Sequence, residues 1–410
     1  MVTDQRISPA PYPPAVQLRT VLQRLVAAAD GGQALDAFLH AAGAAQIVAD
    51  RLQGVSALPV QPPLRLIPPR GGIGAARRLL ETSLTAARGR LGLSAWHVLL
   101  RDLANVLAEA VLGDTEEDVA GVLLSVRTAV EGLRSGIPPH TARMLAGAQL
   151  HDPSSFRELD LRPEDVVALA ERFAELNPDR ERPLLVLGLR SSGGYLAPLA
   201  AAALGRLEYQ HVVARTTRPG GPLLPEEPRL PDSVRRVSGL VMLLGGPPRS
   251  GAALASVAAR FTDAGFAPDR IVPVYPALDD AAQPPRLLRR HPAVVLPASQ
   301  WRINRLLDRE GLARSVAEVL PDGSELLSVD DIAPLAPPTP RGHRSVEFTA
   351  LVREADGERR TLRLAARGLP LGHRPANAPE RPGGPRRLGV VDGVLISERA
   401  YEPALADGGT

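Results

Sequence analysis

One stretch near the middle of the chain constrains the fold more than any other. Residues 240–244 form an uninterrupted apolar run of strand length, and apolar residues return at helical spacing from Ala252 until Gly265. A loop of small residues separates the two segments. The stretch predicts a buried strand, a loop and a helix, the repeating unit of an α/β domain with a mainly parallel sheet.

The loop between these segments has a composition that suits an anion. Its residues stand where the helix begins, so backbone N–H groups and the positive end of the helix dipole face the loop. We expect a phosphate group to bind there, although any strand-to-helix turn of an α/β domain can have this composition. The candidate binding residues are Arg249, Ser250, Gly251, Ala252 and Ala253.

Two further strand-loop segments precede this one. Residues 184–187 are a short apolar strand that leads into a glycine-rich loop and a helix over 196–204, and glycines let the backbone approach an anion closely. Residues 212–221 are predicted to form a strand that ends in an arginine pair, Arg215 and Arg218, and is followed by a loop. The candidate binding residues of the first loop are Arg190, Ser191, Ser192, Gly193 and Gly194.

The order of these parts over 184–276 resembles the type I phosphoribosyltransferases. In that family the first loop binds pyrophosphate, the later loop holds the 5′-phosphate of PRPP, and two adjacent carboxylates hold the ribose hydroxyls. Gly245 and Gly246 occupy the carboxylate positions here, and residues 220–236 are similar to the mobile hood loop. The resemblance implies a phosphorylated small molecule, PRPP or a nucleotide, as ligand. It also implies Mg²⁺ carried with PRPP or pyrophosphate, and no protein-bound metal site.

The missing carboxylates leave two functions open. The chain is either a phosphoribosyltransferase-family protein, of the glycosyltransferase class, with weak or absent phosphoribosyl transfer, or a non-catalytic nucleotide-binding or regulatory protein on the same fold. Without a side chain on the ribose hydroxyls, ground-state and transition-state contacts weaken together. Fold alone does not decide between the two.

Composition excludes several classes of chemistry. There is no cysteine, so disulfides and thiolate metal sites are excluded, and all 48 basic residues are arginine, which excludes every mechanism that needs a lysine amine. With a net charge of +3 and only two tryptophans, five tyrosines and six phenylalanines, we expect no nucleic-acid partner. No apolar run approaches the roughly 18 residues of a membrane span, and we predict a cytoplasmic protein with no membrane partner.

Proline-rich and glycine-rich stretches divide the chain. The predicted organisation is a disordered tail (1–17), a helical hairpin broken at Gly31-Gly32 with a proline-rich linker (18–72), a helical region (73–180), the phosphoribosyltransferase-like α/β domain (181–334), a linker (335–345), a small β module (346–402) and a tail (403–410). The sequence predicts one helix over residues 300–320. Asp279 and Asp280 follow a strand, with no helix opening behind them, and favour a solvated turn over a displaced ribose clamp.

The small β module contains two hairpin signals, Asp356-Gly357 and Asp392-Gly393. It resembles the start of a kinase-like N-lobe of the kind fused to phosphoribosyltransferase domains. The chain ends before a catalytic loop could follow, and the lysine that binds phosphate in kinases is missing. The resemblance therefore implies a truncated module without phosphotransfer.

Overall fold

A computed structural model describes residues 16–53, 92–113, 115–135, 149–150, 161–190, 192–221, 224, 227–248, 250–280, 283–335, 344–369 and 386–399. The chain divides into two compact units. The first takes in the described residues up to Leu150 and the described part of 221–230, and the second contains the rest.

The first unit is helical. Its elements are β1 (Val16–Gln17), α1 (Leu18–Asp30), α2 (Ala34–Gln53), α3 (Leu93–Val111), α4 (Glu116–Ser135) and β2 (Gln149–Leu150). The predicted helical hairpin is present: α1 ends at Gly31, and Gly32 has a positive φ of 68°, which glycine adopts without strain. The core of this unit includes the fully buried side chains of Leu25, Phe38, Trp96 and Leu100.

The predicted tail at 1–17 ends earlier than the sequence indicates. Val16 pairs with Leu150 and Gln17 with Gln149, so these two residues form a strand instead of belonging to a disordered segment. The partner strand lies far along the chain, and a two-residue strand leaves no local pattern to predict it. Residues 1–15 lie outside the described part, as do most of the predicted linker and the start of the helical region.

The second unit contains the predicted parallel sheet. Its strands are β3 (Leu184–Leu189), β4 (Val212–Thr217), β5 (Leu240–Leu244), β6 (Ile271–Pro276) and β7 (Val294–Leu296), and they lie side by side in the order β4-β3-β5-β6-β7. All four pairings are parallel. Every residue of β3 and β5 is buried, which confirms the expectation drawn from their uninterrupted apolar sequences.

Helices precede or connect these strands. They are α5 (Pro163–Leu176), α6 (Gly193–Arg206), α7 (Leu230–Arg236) and α8 (Ala252–Asp263). The β3-α6-β4 and β5-α8-β6 connections run in opposite directions along the sheet. Because parallel crossovers are right-handed, α6 and α8 lie on opposite faces. Pro163 stands in the first turn of α5, as its sequence predicts.

A second, antiparallel sheet follows. Its strands are β8 (Glu325–Pro334), β9 (Ser345–Arg353), β10 (Arg359–Gly368), β11 (Arg386–Val391) and β12 (Val394–Glu398), in the order β11-β12-β10-β9-β8. Both predicted hairpin turns are present: Gly357 has φ 87°, and Asp392 and Gly393 have φ 48° and 71°, as the tight turn between β11 and β12 requires.

Two boundaries drawn from the sequence are wrong. Glu325–Pro334 belongs to the antiparallel sheet, where Glu325 lies opposite Arg353, and not to the α/β domain that was predicted to continue to residue 334. The proline-rich segment taken as a domain linker is therefore a connection inside the second sheet. Its residues 336–343 lie outside the described part of the chain.

The predicted helix over 300–320 is two helices, α9 (Arg302–Leu306) and α10 (Arg309–Val319). Asp308 starts the second one, because its carboxylate accepts a hydrogen bond from the Gly311 amide at 2.8 Å. The chain turns tightly there: a Cβ on Gly311 would lie 2.6 Å from the carbonyl oxygen of Leu306. Helix α10 then packs against β8, β11 and β12.

Candidate functional site

The strand order places a topological switch point between β3 and β5. The chain leaves β3 towards β4 on one side, whereas β5 lies on the other side and leads towards β6. In open α/β sheets, ligands bind outside the carboxyl ends of the strands at such a point. Since β3 and β5 are parallel neighbours, with Gly188 opposite Leu244, the two loops predicted to bind anions open at this same edge.

The loop after β3 folds back tightly on its strand. A Cβ on Gly188 would lie 2.7 Å from Gly193 Cα, and a Cβ on Gly193 would lie 2.9 Å from the Gly188 carbonyl oxygen. Only glycine fits at both positions, since real Cβ atoms essentially never come within 3.0 Å of another heavy atom. The end of the strand and the first turn of α6 are therefore in direct backbone contact.

Arg190 is fixed within this loop. Its amide donates a hydrogen bond of 2.7 Å to the Thr217 carbonyl, which extends the pairing of β3 with β4 by one residue. The residue is only 6% exposed, so a permanently charged guanidinium is held inside the protein three residues before α6 begins. A cation in such a position favours a nearby anion.

Helix α6 points its positive end at the same edge. Ser192 is its N-cap and makes no side-chain capping hydrogen bond, while the amides of Tyr195 and Leu196 donate to the Ser192 carbonyl at 3.1 and 3.0 Å. The helix is 14 residues long, which is enough for its dipole to act at the terminus. Gly194 lies in this first turn, and Ser191 lies outside the described residues.

The loop after β5 opens a second helix, α8. Its N-cap, Gly251, has φ 74° and makes no side-chain capping bond, and a Cβ there would lie 2.8 Å from Pro285 Cβ. Ser250 Oγ accepts a 3.3 Å hydrogen bond from the Ala252 amide. Ser250, Ala252 and Ala253 are exposed, so the first turn of α8 is open to a ligand. Arg249 lies outside the described residues.

The third predicted segment, β4 and the residue after it, carries two candidate arginines in different positions. Arg215 lies opposite Leu187, two residues below the end of β4, and its guanidinium donates to the Ala214 carbonyl at 2.7 Å. Arg218 follows the strand and is exposed at the carboxyl edge. Arg218 is therefore the better placed of the two for a ligand at the strand ends.

The structure adds two residues that the sequence did not single out. Thr217, the last residue of β4, is 1% exposed, and its Oγ1 accepts a 3.2 Å hydrogen bond from Arg260 on α8. Arg260 stands about two turns into its helix, at a position with no local signature of binding. This hydrogen bond links the end of β4 to α8, the helix that follows the loop after β5.

The ribose-clamp positions of the resemblance lie directly after β5. Gly245 donates its amide to the Val274 carbonyl at 3.3 Å, and a Cβ on Gly245 would meet Leu254 Cδ2 at an ordinary 3.7 Å. The glycine is thus not demanded by packing at this position. Gly245 presents no side chain at this edge of the sheet.

Asp280 connects two neighbouring loops. Its carboxylate accepts a 2.7 Å hydrogen bond from the Ser299 amide, which ties the loop after β6 to the loop after β7. That hydrogen bond lowers the pKa of Asp280 below its ordinary value. Asp279 and Asp280 are both exposed, in agreement with the prediction of a solvated turn.

The first turn of α5 carries a buried carboxylate, Asp165. It accepts hydrogen bonds from the amides of Arg162 at 2.8 Å and Arg302 at 2.6 Å, so it joins the start of α5 to the start of α9. Burial raises the pKa of Asp165 to about 6, although the two amide hydrogen bonds oppose that shift. Asp165 interacts electrostatically with the buried Tyr195 of α6, whose own pKa burial also raises.

Arg162 connects the same corner to the antiparallel sheet. One of its guanidinium nitrogens, Nη2, donates to the carbonyls of Leu369 and Gly393, each at 3.1 Å. Beside it, Arg302 forms a 3.0 Å ion pair with Asp392. The turn between β11 and β12 is therefore held by two arginines of the α/β region.

Taken together, the described residues of these loops place two helix N-termini and the buried Arg190 at one edge of the parallel sheet. The described residues bring together no group of three or more His, Asp or Glu side chains able to bind a metal ion. Among them, too, no helix combines the length and apolar character needed to cross a membrane. No family model, curated protein sequence or solved structure matches this chain.

Proposed function

We propose that the carboxyl edge of the parallel sheet binds PRPP or a nucleotide phosphate, and that phosphoribosyl transfer there is weak or absent. One observation carries the proposal. Neighbouring parallel strands, β3 and β5, flank a topological switch point and bring two loops and two helix N-termini to one edge of the sheet, and the N-cap residues of both helices form no side-chain capping hydrogen bond. Backbone amides at such termini are ready-made anion sites.

Two anion sites suit a ligand with two anionic groups. PRPP carries a 5′-phosphate at one end of its ribose and a pyrophosphate at the other. In this proposal the exposed first turn of α8, with Ser250, takes the 5′-phosphate, and the tight loop beside Arg190 takes the pyrophosphate with its Mg²⁺. Adjacent strands are about 4.8 Å apart, so the loops stand close enough to serve one sugar.

The same geometry favours binding over turnover. Pyrophosphate leaves the anomeric carbon through a cation-like transition state, and the sugar must be held rigidly while that charge develops. Gly245 and Gly246 give the ribose hydroxyls no side-chain partner. A non-catalytic nucleotide-binding or regulatory role is therefore the second candidate, and the absence of side chains at these two positions is the observation that favours it.

Calorimetry tests the proposal with PRPP, ribose 5-phosphate and nucleoside monophosphates, each with and without Mg²⁺. We expect binding of at least one phosphorylated ribose, and at least a tenfold loss of affinity in the Arg249→Ala/Ser250→Ala variant, since each charge-assisted hydrogen bond is worth roughly 1.5–3 kcal/mol. Arg314→Ala is the matched control, because Arg314 is an exposed arginine on α10. Phosphate binding that survives the double change would show that the loop is only a structural turn.

A further inference from the structure

The antiparallel sheet has one buried face and one face that carries arginines. On its central strand, β10, Leu364 and Ala366 are fully buried. Because side chains alternate along a strand, Arg359, Arg363 and Arg367 all point to the other face, and all three are exposed. They form a row along the central strand of the sheet.

These three arginines have no partner within the described part of the chain. Acidic residues on the neighbouring strands β8 and β9 are engaged by other arginines: Glu325 with Arg353 at 2.7 Å, Asp330 with Arg309 at 2.8 Å and Glu347 with Arg399 at 2.8 Å. Asp331 accepts a 3.0 Å hydrogen bond from Thr349 and forms no ion pair with an arginine of the row. The row is therefore a line of charge that the described residues leave unneutralised.

The spacing of the row is regular. Successive arginines are four residues apart in a strand, which places them about 13 Å from each other. That distance exceeds the Debye length of about 8 Å at physiological ionic strength, so salt largely screens the repulsion between neighbouring guanidinium groups of the row. Thr361 and Ala365 stand between the arginines on the same face, and these short side chains leave a shallow track from one guanidinium to the next.

We propose that this row docks an extended acidic segment of a partner protein, with carboxylates at every fourth residue facing the sheet. An extended peptide has the same rise per residue as β10, so its carboxylates at positions i, i+4 and i+8 would match the three guanidiniums. Nucleic acid is the disfavoured occupant. Single strands bind through aromatic side chains on which bases stack, and none of the outward positions of β9, β10 or β12 is aromatic.

Fluorescence anisotropy with the full chain tests this proposal at low salt. The probe is a labelled 13-residue peptide with glutamates at every fourth position, compared with a peptide of the same composition whose glutamates are adjacent. Arg359→Gln/Arg363→Gln/Arg367→Gln is the test variant. The matched control, Arg19→Gln/Arg24→Gln/Arg314→Gln, removes the same charge from exposed arginines on α1 and α10.

We expect saturable binding that favours the regularly spaced peptide and falls about tenfold in the test variant, as the loss of three exposed ion pairs of about a factor of two each implies. The control variant should retain its affinity. Equal losses in both variants, no preference for the spaced peptide or no binding at all would overturn the proposal. So would tighter binding of a thymidine oligonucleotide that the test variant abolishes, because the row would then be a nucleic-acid surface.

Discussion

The contact between Gly188 and Gly193 supports a sharp prediction about the loop that follows β3. Replacing Gly193 by alanine puts a Cβ 2.9 Å from the Gly188 carbonyl oxygen and closer still to the Gly188 carbon atoms, whereas ordinary contacts lie between 3.4 and 4 Å. The obstructing atoms are backbone and cannot rotate away. The strand and the helix must therefore separate, and we expect Gly193→Ala to destabilise the second unit.

The expected loss of stability in Gly193→Ala follows from the free-energy cost of overpacking a buried site. Extra methyl groups in a tightly packed site typically cost about 1–3 kcal/mol, and a clash with backbone belongs at the upper end of that range. Gly205→Ala is the matched control in the same helix, because a Cβ there meets nothing within 4 Å. Gly205 lies in the last turn of α6, where alanine is favoured over glycine by at most the roughly 0.5–1 kcal/mol of a helix interior, so the two substitutions should have opposite signs.

Urea unfolding followed by tryptophan emission measures both effects. Trp96 lies in the first unit and Trp301 in the second, so a Trp96→Phe background makes the signal specific for the unit that contains the loop. With a urea dependence of about 2–3 kcal/mol per molar, Gly193→Ala should lower the midpoint by about 1 M, and Gly205→Ala should raise it slightly. Equal midpoints for the two variants would refute the close approach of strand and helix.

Two further predictions concern the corner around α5. Burial raises the pKa of Asp165 to about 6 from 3.8. The native state therefore holds this proton more tightly than the unfolded chain, and stability should fall by up to about 3 kcal/mol as the pH rises from about 4 to about 6. Asp165→Asn should flatten that dependence in urea midpoints, and an unchanged slope would contradict this assignment. Arg162→Gln removes the donor to the Leu369 and Gly393 carbonyls, and hydrogen exchange in the turn between β11 and β12 should accelerate about tenfold, whereas Arg24→Gln should leave it unaltered. Unchanged protection in Arg162→Gln would show that the turn holds without this arginine.

Sequence patterns predict the parts of this fold that depend on local properties. β3 and β5 are apolar on both faces, which indicates burial in a parallel sheet, and Asp392-Gly393 has the residue types that a tight hairpin turn needs. Parallel neighbours bring their loops to one edge, so the meeting of the two glycine-rich loops was also predictable. These features depend on periodicity and turn chemistry within about ten residues.

Contacts between distant residues were not predictable in the same way. Glu325–Pro334 joins the antiparallel sheet because it pairs with β9 across a proline-rich connection, and no pattern in the strand itself shows that preference. Arg260 reaches Thr217 from another element, and Arg162 reaches Gly393 across 231 positions. Such pairs are set by tertiary packing, which leaves no periodic trace in a single sequence.

The relative affinity for PRPP and pyrophosphate tests the proposed site most directly. If Gly245 and Gly246 occupy ribose-clamp positions, the wild-type protein should bind the two ligands with similar affinity, because the ribose adds no side-chain contact. Gly245→Asp/Gly246→Asp should then favour PRPP by about 1–3 kcal/mol, and the 3.7 Å clearance from Leu254 leaves room for a side chain at Gly245. Two results would contradict the absence of a side chain that holds the ribose hydroxyls. One is a strong preference of the wild-type protein for PRPP over pyrophosphate, and the other is release of pyrophosphate from PRPP when a purine or pyrimidine base is added.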